Sequence, residues 1–161
     1  MDKPLPFDDY FMGIALLSAF RSKDTTGVGA CIVNKKNRIV GVGYNGLPNN
    51  CPNDALPNKR EGDFLETKYP YVCHAELNAI LNSQGDLEGC RMYLSLFPCN
   101  ECAKVIIQAG IKEIIYLSDY NTPDIDIFVA SRKLMDLCGV SYRRLTPAQK
   151  SLTINYYSNS S

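Results

Sequence analysis

The stretch CRMYLSLFPCNECAKVIIQAGIKEIIYLS, residues 90–118, decides the fold. Cys90 to Phe97 is an apolar, β-rich run that reads as a strand. Pro98 ends it and suits the first position of a helix. That helix runs to Ala109 and stops at Gly110, a residue type favoured just past a helix end. Glu113 to Ser118 reads as the next strand. Ile125 to Cys138 is then a helix, stopped by Gly139, and Val140 to Leu145 a last strand. Strand, helix, strand, helix, strand predicts parallel pairing through crossover helices.

Working outward, Val28 to Asn34 and Arg38 to Tyr44 are apolar, β-branched runs around Lys35-Lys36-Asn37, and they read as an antiparallel hairpin. Asp8 or Asp9 can cap a first helix running to about Arg21, with Phe11, Ile14 and Leu17 along one side. Residues 45–72 hold four prolines and several Asn and Asp, the composition of a long loop or insert. Such loops inside a domain are usually functional or flexible. A helix from near His74 to about Ser83 carries Leu77, Ile80 and Leu81 at helical spacing. The tail, 155–161, is polar and expected to fray. The sum is one α/β domain over residues 1–161: a five-stranded mixed sheet in three layers, α/β/α.

Seventeen basic residues balance seventeen acidic ones. A protein held on long nucleic acid by phosphate neutralisation usually shows a basic excess, so no nucleic-acid partner is expected. Seven cysteines, an odd number, point to reduced thiols and a cytoplasmic location. Met1-Asp2-Lys3-Pro4 lacks a charged-then-apolar secretory pattern. The apolar run Tyr10 to Phe20 is short of the roughly 20 residues that span a bilayer, so no membrane partner is expected.

The chain has one histidine, His74, in the run Tyr71-Val72-Cys73-His74-Ala75-Glu76-Leu77. Cys99 and Cys102 lie three apart at a helix start, so their side chains share a face. The helix N-terminus favours the thiolate, the form that binds zinc. Three protein ligands leave a fourth tetrahedral position open, as a catalytic zinc requires. Water there ionises near neutral pH. Glu76, two residues past His74, can lean over the open position and move protons from water to a ring nitrogen and then to a leaving amine. Two blander readings stand beside this. A Cys-x-x-Cys near a βαβ unit can be a redox pair, and Cys73 could close a structural zinc site as fourth ligand. The first leaves the His-x-Glu run a coincidence. The second needs adjacent helical residues, pointing about 100° apart, to meet one metal.

His-x-Glu followed by Pro-Cys-x-x-Cys is the signature of zinc-dependent nucleoside deaminases. The likeness goes further. Ala19–Asp24, Val28–Asn34, Gly43-Tyr44-Asn45-Gly46-Leu47-Pro48, Thr67–Ile80 and Phe97–Lys104 resemble the deoxycytidylate deaminase family of the cytidine/deoxycytidylate deaminase superfamily, in register from about Tyr10 to Leu145. The resemblance implies the cytidine-deaminase fold, one catalytic Zn2+, and hydrolysis of dCMP to dUMP and ammonia, which feeds thymidylate synthesis. It implies a homohexamer, activated by dCTP (with Mg2+ accompanying that effector) and inhibited by dTTP. By resemblance His74, Cys99 and Cys102 bind zinc and Glu76 is the proton shuttle. Ala75 lies against the substrate, Asn45 against its deoxyribose, and Arg21 and Tyr120 near its 5′-phosphate. The stretch Ser118–Asp124 is shorter than in relatives and lacks a basic residue that some carry there. The effector is expected near Tyr44, Asn45 and Gly46, with Lys59, Arg60 and Lys68 as triphosphate partners. Two other outcomes share these motifs: an enzyme that also accepts dCTP, and a catalytically silent module that senses nucleotides.

Overall fold

A computed structural model describes residues 3–119 and 124–157. Tyr120 lies outside them. The elements are α1 (Phe7–Ala19), β1 (Gly29–Val33), β2 (Ile39–Tyr44), α2 (Ala75–Leu81), β3 (Arg91–Leu96), α3 (Asn100–Gln108), β4 (Glu113–Ser118), α4 (Asp126–Cys138) and β5 (Ser141–Arg144). The strands form one sheet in the order β2-β1-β3-β4-β5. β1 is antiparallel to both neighbours, whereas β3, β4 and β5 are parallel. The mixed five-stranded sheet read from residues 90–145 and the opening hairpin is therefore what forms.

Strand alternation sorts the core into two layers. Ala30, Ile32, Met92, Leu94 and Ile114 face α2, α3 and α4, and pack with Ala79, Ile106 and Met135. Cys31, Val33, Tyr93 and Ile115 face α1 and pack with Phe11, Met12 and Ala15. Every residue of β1 is buried, because both its faces are covered.

α1 departs from expectation. Its cap is Pro6, with no side-chain bond. Asp8 and Asp9 fall inside the first turn and are used by the tertiary structure instead. Asp8 accepts the Tyr93 hydroxyl at 2.7 Å and Arg143 Nη2 at 2.8 Å. Asp9 accepts the Ala148 backbone N–H at 2.9 Å, which ties down the chain after β5. The helix ends at Ala19, two residues before Arg21, in turns donated by Phe20, Arg21 and Ser22. Met12 and Ala15 take the buried places that periodicity assigned to Ile14 and Leu17.

α2 departs for a steric reason. A Cβ on Gly43 would stand 2.3 Å from Ala79 N and 2.4 Å from Ala75 O. Only glycine lets the helix backbone lie this close on β2. So small residues, Ala75 and Ala79, face the sheet, and Leu81 is turned out to solvent. Asn78 and Asn82 donate their side-chain N–H to the carbonyls of Tyr44 and Val42, covering the open edge of β2.

The insert has one 3-10 turn, Phe64–Glu66, and a two-residue bridge in which Gly46 and Cys73 exchange N–H···O bonds of 3.0 and 2.8 Å. Among the described residues no helix is long and apolar enough to cross a membrane.

Candidate active site

Two helix starts meet at one point. His74 is the cap residue of α2 and Cys99 that of α3, both with extended backbone. Pro98 therefore precedes the α3 cap rather than opening the helix, and its carbonyl accepts the Ser131 hydroxyl at 2.9 Å. Cys102 sits one turn into α3 below Cys99. His74 Nδ1 lies 3.3 Å from Cys102 Sγ and 3.5 Å from Cys99 Sγ. The three ligand atoms fall within 4.8 Å of one another.

This donor set fits a tetrahedral zinc. Bonds of about 2.3 Å to sulfur and 2.05 Å to nitrogen at a tetrahedral angle place S and N about 3.6 Å apart. The measured spacings sit close to that edge. The protonation pattern points the same way. Without a cation, the Cys102 thiol donates to Cys99 and, with help from His74, pulls Cys99 down to about 4. The same hydrogen bond, burial and the nearby Glu76 hold Cys102 far above the ordinary thiol range. His74 is pushed up by its bond to Cys99, against the desolvation of its ring. Two sulfurs and an imidazole thus crowd together, with one thiol pulled down and the other pushed up by the same contact. A divalent cation satisfies all three once their protons leave.

Glu76, the second residue of α2, is 4% exposed. Burial raises its pKa, which suits a carboxyl that must hold a proton as well as take one. It lines a cleft of about 680 Å³ together with His74, Ala75 and Cys99. Val28, Leu96, Phe97, Ile127 and Phe128 give this cleft apolar walls. Asp24, Thr26, Asn45, Arg60, Lys68, Ser118 and Asp119 give it a polar side. The volume lies in the range of small-molecule sites.

The chain matches the family described as the cytidine and deoxycytidylate deaminase zinc-binding region over residues 6–118. It belongs to this deaminase family. Deoxycytidylate deaminases of Mus musculus and Homo sapiens are 55% and 54% identical to it over 158 residues, covering 96% of this chain and 88% of each relative. A crystal structure of the dCMP deaminase of cyanophage S-TIM5 with dCMP and dUMP superposes with a TM-score of 0.66 at 28% identity. The match covers 84% of this chain and 94% of the phage protein. The protein is thus a deaminase, a hydrolase with a His/Cys/Cys candidate metal site.

Within this deaminase the other expected residues divide between two clefts. The Asn45 amide is 7% exposed and lines both. Its Oδ1 accepts Val28 N–H at 2.8 Å and its Nδ2 donates to Thr26 O at 2.9 Å, so its orientation is fixed. Arg21, expected at the substrate phosphate, lines a second cleft of about 320 Å³ with Lys23, Tyr44, Gly46, Pro48 and Pro57. Arg60 and Lys68, expected at the effector, line the larger cleft that also holds His74 and Glu76. Lys59 is exposed, and its carbonyl accepts the Lys68 backbone N–H at 3.0 Å.

Sequence reading passed over Asp24 and Thr26 as site residues. Asp24 Oδ1 accepts Thr26 N–H at 2.8 Å and pairs with the Lys68 ammonium. The Asp-x-Thr turn was a local signal. Its pairing with a lysine 44 residues away was not.

Proposed function

We propose that this deaminase converts dCMP and water to dUMP and ammonia, and so supplies dUMP for thymidylate synthesis. The observation that carries the reading is the meeting of a complete zinc donor set and the buried Glu76 carboxyl at one wall of a cleft sized for a mononucleotide. The dCMP and dUMP held by the phage relative support the substrate class.

His74, Cys99 and Cys102 would hold the ion. Zinc bound there supplies Lewis acidity toward the water nucleophile. Phe97 and Phe128 offer an apolar slot for the pyrimidine ring, which keeps bulk water from the reacting carbon. Asn45, locked by Thr26 and Val28, presents its remaining amide hydrogen to the sugar. Glu76 takes a proton from the attacking water and gives it to the ring nitrogen. It then passes a second proton to the amino group, which leaves as ammonia. Atoms balance with no further reactant.

The finer reading is regulation. The second cleft carries Arg21 and Lys23 beside Tyr44, Asn45 and Gly46, a setting suited to a triphosphate effector. On this reading dCTP, with Mg2+, activates and dTTP inhibits, and the cytoplasmic enzyme is a homohexamer. Asp24, Asn45 and Val72 line both clefts, which gives an effector a short path to the reaction site.

The test offers purified zinc-loaded protein dCMP, dCTP, deoxycytidine, CMP and single-stranded DNA, with and without dCTP and magnesium. Release of ammonia from dCMP, faster with dCTP, is the expected result. Preference for deoxycytidine or DNA overturns the substrate reading. Glu76→Gln should keep its zinc and lose at least about 10²-fold in kcat, the lower range for a positioned acid–base group. Normal turnover by that variant would eliminate the proposed shuttle, and inactivity of the wild type toward every substrate would favour a silent nucleotide sensor.

A further inference from the structure

We propose that the buried Asp24–Lys68 pair is a positioning device for the reaction: it pins the insert to the turn before β1 and so aims the Asn45 amide at the 3′-hydroxyl of the sugar. The inference rests on the dCMP reading above, which sets that amide against the sugar, and names the residues that hold it there. The pair joins segments 44 residues apart, and each partner is tied into its own segment. Lys68 N–H donates to Lys59 O at 3.0 Å, and Lys68 O accepts the N–H groups of Tyr71 and Val72 at 3.0 and 3.1 Å. The lysine thereby gathers the end of the insert and the approach to His74. Asp24 Oδ1 accepts Thr26 N–H at 2.8 Å, and Asp24 N–H donates to Ser22 Oγ at 3.1 Å. Thr26 and Ser22 both reach Asn45. Thr26 O accepts its Nδ2 at 2.9 Å, and Ser22 Oγ donates to its backbone carbonyl at 2.9 Å. Side chain and backbone of Asn45 are thus held from the one turn that Lys68 anchors. Asp24, Thr26, Asn45 and Lys68 all line the larger cleft.

Stability alone does not account for the pair. The Lys68 side chain is 10% exposed and that of Asp24 2%, so both charges have left water. Desolvation of that kind offsets most of the attraction, and apolar residues of equal volume often serve as well. Asp24 Oδ2 is buried with no hydrogen-bond partner among the described residues, an unmet acceptor that an apolar contact would not leave. What a charged pair supplies and an apolar one does not is direction. The ammonium sets which way the carboxylate turns, Oδ1 then sets Thr26, and Thr26 sets the Asn45 amide.

The test compares the zinc-loaded full chain as wild type and as Asp24→Leu with Lys68→Met, which fills the same space without charge. Calorimetric affinity is measured for dUMP and for its 2′,3′-dideoxy analogue, which lacks the 3′-hydroxyl, alongside KM and kcat for dCMP. One net hydrogen bond predicts that wild type binds dUMP about three- to tenfold tighter than the dideoxy analogue. In the double variant that ratio should fall to about one, and KM for dCMP should rise by the same factor with kcat within about threefold. Asp24→Asn with Lys68→Met keeps an acceptor for Thr26, so its ratio should fall between the two, and it judges the proposal if the apolar pair does not fold. A wild-type ratio retained in the folded variant overturns the assignment. So does an equal loss of affinity for both ligands, the mark of a generally loosened cleft, or a wild type that binds both ligands alike. If the wild type binds dUMP but never turns over dCMP, the functional reading fails, and the binding ratio still judges the pair.

Discussion

Replacing Gly43 by alanine should damage catalysis without touching any reacting group. The new Cβ would lie 2.3 Å from Ala79 N, 2.4 Å from Ala75 O and 2.8 Å from Ala79 Cα, whereas ordinary contact begins at 3.4 Å. All three neighbours are backbone, so no side chain can swing away. To restore contact, α2 and β2 must part by about 1 Å. α2 carries Glu76, and its cap is His74, so the separation moves the proposed proton shuttle and one candidate metal donor together. Overpacking of this kind costs about 1–3 kcal/mol, and a 1 Å misplacement near a reacting centre costs about 10²-fold in rate. Thermal unfolding should fall by about 6 °C for a loss of about 2 kcal/mol in a chain of this size. kcat at saturating dCMP should fall about a hundredfold with zinc retained. Gly46→Ala is the steric control, because a Cβ there meets nothing within 4 Å, and its unfolding temperature should stay within about 1 °C of wild type. A Gly43→Ala protein with wild-type melting and kcat would refute the claim that close α2–β2 packing positions the site.

Other perturbations test separate parts of the structure. Lys68→Met leaves the Asp24 carboxylate buried without its partner, so urea unfolding should show a loss of about 3 kcal/mol; Asp24→Asn added to it should return most of that. Asp8 is raised by desolvation, but hydrogen bonds from Tyr93 and Arg143 outweigh this and hold its pKa below 3.8. Its contribution is therefore present above pH 3.8 and lost as pH falls through the lower folded value. Asp8→Asn should destabilise by about 1 kcal/mol at pH 7, the discounted value for a partly exposed pair, and by less below pH 3. Chelation should remove one zinc per chain and abolish deamination, and re-addition should restore both; Cys102→Ser protein that keeps zinc at wild-type affinity would contradict the ligand assignment.

Much of this protein was legible locally. The strand and helix order from residue 90 onward follows from runs of apolar residues and from glycine stops, and β4 begins and ends where the pattern put it. Gly139 indeed closes α4 in the left-handed conformation, φ +69°. His-x-Glu and Pro-Cys-x-x-Cys are short-range patterns fixed by ligand chemistry, so the three residues that cluster as a candidate metal site, and Glu76 beside them, could be singled out before any fold. What escaped was non-local. Asp8 and Asp9 look like helix caps until Tyr93, Arg143 and the chain after β5 claim them. Leu81 fits an apolar helix face until Gly43 draws the backbone in and turns that residue out. Arg21, Arg60 and Lys68 are cations in polar segments, and nothing in their neighbours says which cleft each will line.

The division has a physical cause. Sequence by itself determined the element types and singled out the candidate metal donors and the proposed proton carrier, because propensity and coordination chemistry act over a few residues. Tertiary structure alone decided that α2 and α3 bring their first turns to one point, that Lys68 is neutralised by Asp24, and that Arg60 opens on the reaction cleft while Arg21 opens on the other. Those outcomes depend on where the sheet and the insert place residues far apart in the chain, and charge pairing between them exists only once the chain has folded.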